Sequence, residues 1–250
     1  MNISVVIPVF NSKTLKKTFD SVLVQTLPPD EIILVDDGST DDITIKTLVD
    51  CKNLSSPKTL VRVIKLSQNR GPSGARNAGW NEASGDYIAF LDADDSWEQS
   101  KLQKQINFMS AHPEYLLTAH WYDYQATKHR GKVTAKHLLK SNSISPSCSL
   151  VRKSLKIRFD ENFRYCEDHE FALSVSLQHS IYVIDEVLTF LGRKPQTFGG
   201  ISSHKWRMRK GQIAIYWKMR RQKILSFWQA LAFTLFSLGK HVLKFRLWIL

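Results

Sequence analysis

Four short apolar runs, each stopping at a cluster of polar residues, limit how this chain folds. Met1–Pro8 is rich in β-branched residues and reads as a strand that Pro8 stops. Glu31–Val35, Leu60–Leu66 and Asp86–Leu91 repeat the pattern. Runs this short and this apolar suit strands buried on both faces. Asn11 or Ser12 is placed to cap a helix through about Gln25. Strands alternating with helical stretches call for a parallel α/β sheet, whose ligand crevice lies beyond the carboxyl ends of its strands. The polar clusters after the runs, among them Asp36–Asp42, Asn69–Gly79 and Asp92–Asp95, are therefore expected to converge on one site.

The cluster Asp92-Ala93-Asp94-Asp95 carries the most chemistry. Three carboxylates with no basic neighbour in sequence repel one another and raise one another's pKa. A hard cation relieves that repulsion. Carboxylate oxygens suit Mg²⁺ or Mn²⁺, which in turn hold phosphates. The rival reading is an acidic turn in which Asp95 or Ser96 N-caps a helix from Trp97 to Lys101. Bland rivals exist for the other positions too. Pro8 only ends a strand, Asn11 only caps a helix, and Asp36 and Asp37 only shape a turn with Gly38. On that view Gly71, Gly74 and Gly79 only permit turns and close packing.

Taken jointly, the motifs say more. Pro8-Val9-Phe10-Asn11, Val35-Asp36-Asp37-Gly38-Ser39-Thr40-Asp41, Asn69-Arg70-Gly71 with Ala75-Arg76-Asn77-Ala78-Gly79, and Leu91-Asp92-Ala93-Asp94-Asp95 resemble, in order and spacing, the family 2 glycosyltransferases of the GT-A fold. The resemblance is strong over residues 1–110 and looser to about residue 205. Its later part is similar to bacterial enzymes that build capsule, exopolysaccharide, teichuronic-acid or lipopolysaccharide chains. It implies an α/β fold with a mostly parallel central sheet flanked by helices. A catalytic domain over 1–205 would divide into a nucleotide-sugar half (1–110) and an acceptor half (111–205). The resemblance also implies roles. Pro8, Phe10 and Asn11 line the nucleotide pocket. Asp36 accepts from the uracil N3–H, a task suited to an acceptor-only carboxylate, with Asp37 adjacent. Arg76 sits near the base or diphosphate, and Asp92 with Ala93 lies on the ribose side. Asp94 holds the metal, Mn²⁺ or Mg²⁺, and Asp95 supports it.

Beyond residue 110 the motifs thin out. Tyr115–Tyr124 and Ser145–Val151 read as strands, and Lys128–Lys140 as a basic loop or loop–helix. Cys166-Glu167-Asp168-His169-Glu170 resembles the family's Glu-Asp motif at the start of a helix below the acceptor. Family chemistry is an inverting displacement that needs a general base on the acceptor side, and Asp168 is assigned that role, with Glu167 positioning it. Charge statistics alone offer a plainer reading, that Glu167, Asp168 and Glu170 complement a helix dipole. His169 reads as a packing or surface residue. Gly199 and Gly200 suit the hinge of a loop closing over the donor, and His204 is a candidate to complete the metal shell.

The net charge of +12 is unevenly placed. No Asp or Glu follows Glu186, and 13 Lys and Arg lie between Arg193 and Arg246, against 22 basic and 23 acidic residues in the rest. Residues 206–250 thus read as a helical, basic and apolar tail. Its uncharged stretch Ile224–Gly239 is shorter than the ~20 residues a spanning helix needs. Such a tail suits an anionic membrane surface, or else packs on the catalytic domain or on a second subunit as a homodimer. Cys51, Cys148 and Cys166 lack metal-ligand spacing, and the first eleven residues lack a basic n-region. Both point to a cytoplasmic protein, peripheral on the inner face of the membrane.

The expected partners are a nucleotide-sugar donor and a glycan or lipid-linked glycan acceptor. A sugar-nucleotide pyrophosphorylase is the rival enzyme, but Val9–Lys13 has no glycine to shape its loop. A nucleic-acid-binding protein is the rival from charge, although a long uncharged stretch suits no phosphate-tracking groove. An inactive paralogue sits poorly with the intact acidic cluster and Asp168.

Overall fold

The structure, a computed structural model, describes residues 1–125, 130–141, 144–193 and 203–246, without the side chains of 240–246. The four apolar runs form β1 (Ile3–Val9), β2 (Glu31–Asp36), β3 (Leu60–Lys65) and β4 (Tyr87–Phe90), all mutually parallel. Between them lie α1 (Leu15–Leu23), α2 (Asp42–Lys52) and α3 (Gly71–Glu82). The second half adds β5 (Ser96–Trp97), α4 (Lys101–Ala111), β6 (Leu117–Tyr122), β7 (Gly131–Val133), α5 (Ala135–Lys140), β8 (Leu150–Arg152), α6 (Glu167–Ser176) and β9 (Ile181–Phe190). Two helices follow, α7 (Lys205–Arg221) and α8 (Phe227–Arg246). The strands make one mixed sheet in the order β3-β2-β1-β4-β8-β6-β9-β5, with β7 added against β9. The chain runs from β1 outward to β3, then returns to place β4 on the other side of β1. This reversal opens a crevice at the carboxyl ends of β1 and β4.

Alternate residues of the strands face opposite layers. Val5, Ile7, Ile32, Leu34 and Ala89 pack with residues of α1, α2 and α4. Val6, Ile33, Val35, Ile88 and Phe90 pack with α3, α6 and α7. At Gly79 a Cβ would stand 2.4 Å from Val6 Cγ1 and 3.0 Å from Val35 Cγ2, so this glycine lets α3 lie close on the sheet.

Several local readings are corrected. Pro8 does not end β1, which continues to Val9 with Pro8 opposite Val35. The ladder to β4 closes at Val6–Phe90, so on that side Pro8 has no strand partner to deprive of a hydrogen bond. Ser96 and Trp97 pair with β9 rather than starting a helix, and α4 begins at Lys101 after Ser100. Asn11 does not cap α1. It takes a left-handed conformation (φ 47°) and its Oδ1 accepts from Thr40 N at 2.9 Å, joining the ends of β1 and β2.

Packing also does not stop at residue 205. Ile215, Tyr216, Met219 and Leu225 are buried in the core layer that contains α3 and α6. Lys218 Nζ donates to Asp160 Oδ2 and Glu170 Oε1, both at 2.6 Å. Helix α8 folds back on α7, where Phe233 stacks on Tyr216 and Ser237 meets Arg209 and Gln212. Among the described residues no helix is long and apolar enough to cross a membrane.

If α7 belongs to the fold, Lys218→Ala will leave the buried Glu170 carboxylate uncompensated and lower stability by about 3 kcal/mol in urea unfolding. The double variant Lys218→Met, Glu170→Gln will recover most of that loss. A Lys218→Ala protein as stable as wild type would show α7 to be a dispensable appendage.

Candidate functional site

A cleft of about 1440 Å³ opens at the carboxyl ends of the parallel strands. Its floor comes from Pro8 near the end of β1, Phe10 and Asn11 after it, Asp37 after β2, and Asp92 to Asp95 after β4. One wall is the start of α3 with Arg76, and another is the start of α6 with Cys166, Glu167 and Asp168. Arg193 after β9 and the first turn of α7 complete it. The convergence expected from the sequence is therefore present.

Arg76 lies at the centre and is 3% exposed. Nη2 donates to Asp92 Oδ1 at 2.6 Å and Nη1 to Glu167 Oε1 at 3.2 Å, with the Phe159 ring beneath the guanidinium. Burial opposes its charge, but the two carboxylates more than offset this and hold its pKa above the ordinary arginine range. Arg76 is thus committed to bridging two protein carboxylates. Burial, with the charge of Asp168 beside it, pushes Glu167 up to about 7.

The four residues of the acidic turn have different surroundings. Ala93 O accepts from Ser12 Oγ at 2.7 Å and Thr14 Oγ1 at 3.0 Å, which fixes the turn to the segment before α1. Asp95 is buried, and its carboxylate accepts from Ser147 Oγ at 2.6 Å and Gly192 N at 3.1 Å. Burial and the charge of Asp92 raise it to about 7. Asp94 is the more open, a third exposed, and burial with the charge of Asp92 raises its pKa. The sequence reading gave this turn no basic neighbour. The structure supplies two, Arg76 on Asp92 and Arg193 on Asp94, the latter at 3.0 Å. Ser147 was also missed. Besides Asp95 it meets Asp92 N, and its carbonyl accepts from Trp97 Nε1 and Thr189 Oγ1.

The other assigned residues divide. Phe10 is half exposed and offers a ring to the cleft. Asp36 does not line the cleft; its Oδ1 accepts from Ser39 N at 2.8 Å and shapes the turn. Asp37 lines the cleft, while its Oδ1 accepts from Arg70 N at 2.6 Å; burial raises its pKa. Asp168 faces the cleft from the first turn of α6, after the left-handed Cys166. His169 is a packing residue, buried with Nε2 at 2.6 Å from Leu138 O. His204 lines the cleft with its ring edge-on to Tyr165. Among the described residues no three of His, Cys, Asp and Glu are grouped to hold a metal ion. The hinge assigned to Gly199 and Gly200 lies outside the described residues.

Residues 4–172 match the profile of glycosyl transferase family 2. An uncharacterized glycosyltransferase of Haemophilus influenzae is 35% identical over 182 residues, 68% of this chain and 70% of that protein. The putative teichuronic acid biosynthesis glycosyltransferase TuaG of Bacillus subtilis is 40% identical over 43% of this chain and 41% of its own length. The Escherichia coli UDP-Glc:α-D-GlcNAc-diphosphoundecaprenol β-1,3-glucosyltransferase WfgD is 27% identical over 84% of this chain and 83% of its own. The chain spans only about a third of the length of two Rickettsia relatives. Among solved structures, S. aureus TarS 1–349 in complex with UDP-GlcNAc superposes with TM-score 0.69 at 21% identity, over 88% of this chain and 67% of that one. The Pyrobaculum calidifontis mannosyltransferase with GDP-Man and Mn²⁺ gives 0.70 at 16%, over 96% and 75%. These structures show that the fold is GT-A.

The Arg76 bridge predicts a specific loss. An ammonium cannot reach both carboxylates as the guanidinium fork does, so Arg76→Lys will cost about 2–3 kcal/mol of stability and at least tenfold in nucleotide affinity. Urea unfolding and titration calorimetry measure the two. Wild-type values for both would mean that the bridge is dispensable.

Proposed function

The chain belongs to glycosyl transferase family 2, and we propose that it moves a sugar with inversion from a UDP-sugar to a hydroxyl of a growing cell-surface glycan carried on lipid. The observation that supports this reading most is the pairing across one cleft of Asp94 on the floor with Asp168 on the α6 wall. A displacement with inversion needs a base facing the acceptor and a charge-stabilising site facing the leaving group. The printed activity of the E. coli relative, a UDP-sugar donor with a diphosphoundecaprenol-linked acceptor, supports the choice of substrates. The pyrophosphorylase and nucleic-acid-binding alternatives lose their ground once the family is known.

In this reading residues 1–110 bind the donor and later residues bind the acceptor. The exposed ring of Phe10 stacks on the base, and Asp37, which lines the cleft where Asp36 does not, reads the uracil N–H. The acceptor hydroxyl gives its proton to the Asp168 carboxylate as its oxygen bonds to the anomeric carbon. The bond from that carbon to the diphosphate oxygen breaks on the opposite face, and the nucleoside diphosphate leaves. In the first turn of α6 the backbone N–H of His169 donates to Asp168 Oδ1 at 2.8 Å.

The residues suit a divalent cation of a particular kind. Asp94 is partly open and its pKa is raised by burial and then by the charge of Asp92, so a cation there would relieve a repulsion that exists in the protein. No three-residue ligand group stands among the described residues, which fits Mg²⁺ or Mn²⁺ held by one or two carboxylates and completed by substrate phosphates. Asp94 is the residue that would hold it and Asp95 keeps the turn in place. When bound, the cation offsets the charge of the departing diphosphate.

Thermal unfolding with a panel of nucleotide sugars, with and without Mn²⁺, tests the proposal. The cognate UDP-sugar will raise Tm only when the cation is present. Asp94→Asn will remove that shift and abolish transfer. Asp168→Asn will keep the shift but lose ~10²–10⁴-fold in kcat. Full transfer in EDTA would sink the metal assignment. Near-normal transfer by Asp168→Asn beside a dead Glu167→Gln would move the base to Glu167.

A further inference from the structure

The two C-terminal helices have different jobs. Helix α7 is built into the core. Helix α8 buries Ala230, Phe233 and Ser237, spaced i, i+3, i+7, against α7. Its other side is apolar as well. Trp228 is 74% exposed and Leu235 60%, and with Ala232 they fall at i, i+4 and i+7, along one outward stripe. Ile224 and Phe227 extend the exposed apolar surface toward the α7–α8 turn. A monomer in water gains nothing from such a stripe.

The surroundings of the stripe indicate what covers it. The end of α7 and the turn after it carry exposed Arg221 and Lys223, close in the chain to the aromatic cluster of Trp217, Phe227 and Trp228. No acidic residue follows Glu186, so nothing on these helices cancels that charge. Two attractions then lie within a few residues of each other, one for hydrocarbon and one for anions. An apolar stripe with tryptophan, rimmed by Arg and Lys, matches the boundary of an anionic bilayer, where aromatic rings sit at headgroup depth and basic groups meet phosphates.

We propose that the outward face of α8, with Trp228 and Leu235 at its centre and Arg221 and Lys223 at its rim, docks this protein on the surface of an anionic membrane. The helix lies on the bilayer and does not span it. The fold also places this face near the cleft. Arg209 Nη1 donates to Ser237 Oγ at 2.6 Å, so the later part of α8 runs beside the first turns of α7. His204, Arg207 and Met208 of that segment line the cleft. Docking therefore brings the α7 wall of the cleft toward the bilayer, which extends the reading of a lipid-carried acceptor.

Flotation with purified full-length chain tests the proposal, using phosphatidylcholine vesicles with and without 30% phosphatidylglycerol (roughly the anionic content that attracts basic segments). Wild type will float with the anionic vesicles and at least tenfold less with the neutral ones. High salt will release part of it and leave the rest bound through the apolar stripe. Trp228→Ser with Leu235→Ser will lower the bound fraction at least tenfold at unchanged Tm, because both side chains are already in water. Arg221→Gln with Lys223→Gln will weaken binding to anionic vesicles alone. The vesicles hold neither donor nor acceptor, so the outcome is independent of sugar transfer, which the nucleotide-sugar titration decides. The proposal is overturned if wild type fails to float at low salt or if the Trp228, Leu235 variant floats like wild type. A dimer that the same variant dissociates would overturn it too, and would assign the stripe to a second copy of the chain.

Discussion

One buried guanidinium organises this molecule. Arg76 stands on α3, which Gly79 lets settle onto the sheet, and holds Asp92 after β4 and Glu167 at the start of α6. These partners lie on the floor and on one wall of the cleft, so the bridge ties the two together. A charge removed from water this far persists only when paired and hydrogen-bonded. Here one cation serves two anions, and the surplus negative charge has an effect beyond the pair. Burial raises the pKa of Asp94, Asp95 and Glu167, and the charge of Asp92 adds to it at Asp94 and Asp95 as that of Asp168 does at Glu167. The stabilising contact and the electrostatic tension of the site come from the same residues.

The acidic turn shows how a strand end becomes a site. Ser12 and Thr14 hold the carbonyl of Ala93, and Thr18 Oγ1 donates to the carbonyl of Asp95. Ser147 and Gly192 take the Asp95 carboxylate. Each bond contributes modestly, about 1 kcal/mol for a typical pair. Their combined effect is positional: three of the four residues are fastened to neighbouring elements, and Asp94 is left facing the cleft. Gly192 has no room for a side chain, since a Cβ there would lie 1.7 Å from Asp94 O. The end of β9 thus presses directly on the turn, close enough for Arg193 to reach Asp94.

Much of this was legible in the sequence, and what escaped did so for physical reasons. The parallel strands were visible because burial on both faces leaves an unbroken apolar run. Their convergence followed from the geometry of parallel sheets. Asp36 and Asp37 were harder to separate, because adjacent residues of a turn face opposite ways and composition does not say which way. Arg193 and Ser147 carried no motif, and they meet the acidic turn only through pairings of β8 and β9 that local sequence does not encode. The C-terminal segment shows a related effect. Counting charge along the chain made residues after 205 look like one basic tail, whereas Lys218 belongs with buried Ile215, Tyr216 and Met219 on a single face. Composition reported the charge correctly but not the face that bears it.

The charge inside the cleft bears on the choice of substrate. Six carboxylates line it, Asp37, Asp92, Asp94, Asp95, Glu167 and Asp168, against five cationic side chains, Lys13, Arg76, Arg164, Arg193 and Arg207. Two of the cations are already engaged with these acids, Arg76 with Asp92 and Glu167, and Arg193 with Asp94. A nucleoside diphosphate entering this space adds further negative charge where Asp94 is already under repulsion. Coulomb energies between such close charges run to about 4 kcal/mol per pair near a protein surface, and Lys13, Arg164 and Arg207 are the lining cations not paired with these acids. The divalent cation proposed at Asp94 would enter with the diphosphate and offset part of that charge in the place Arg193 now holds. A ligand that arrives with its own positive charge would therefore suit this lining.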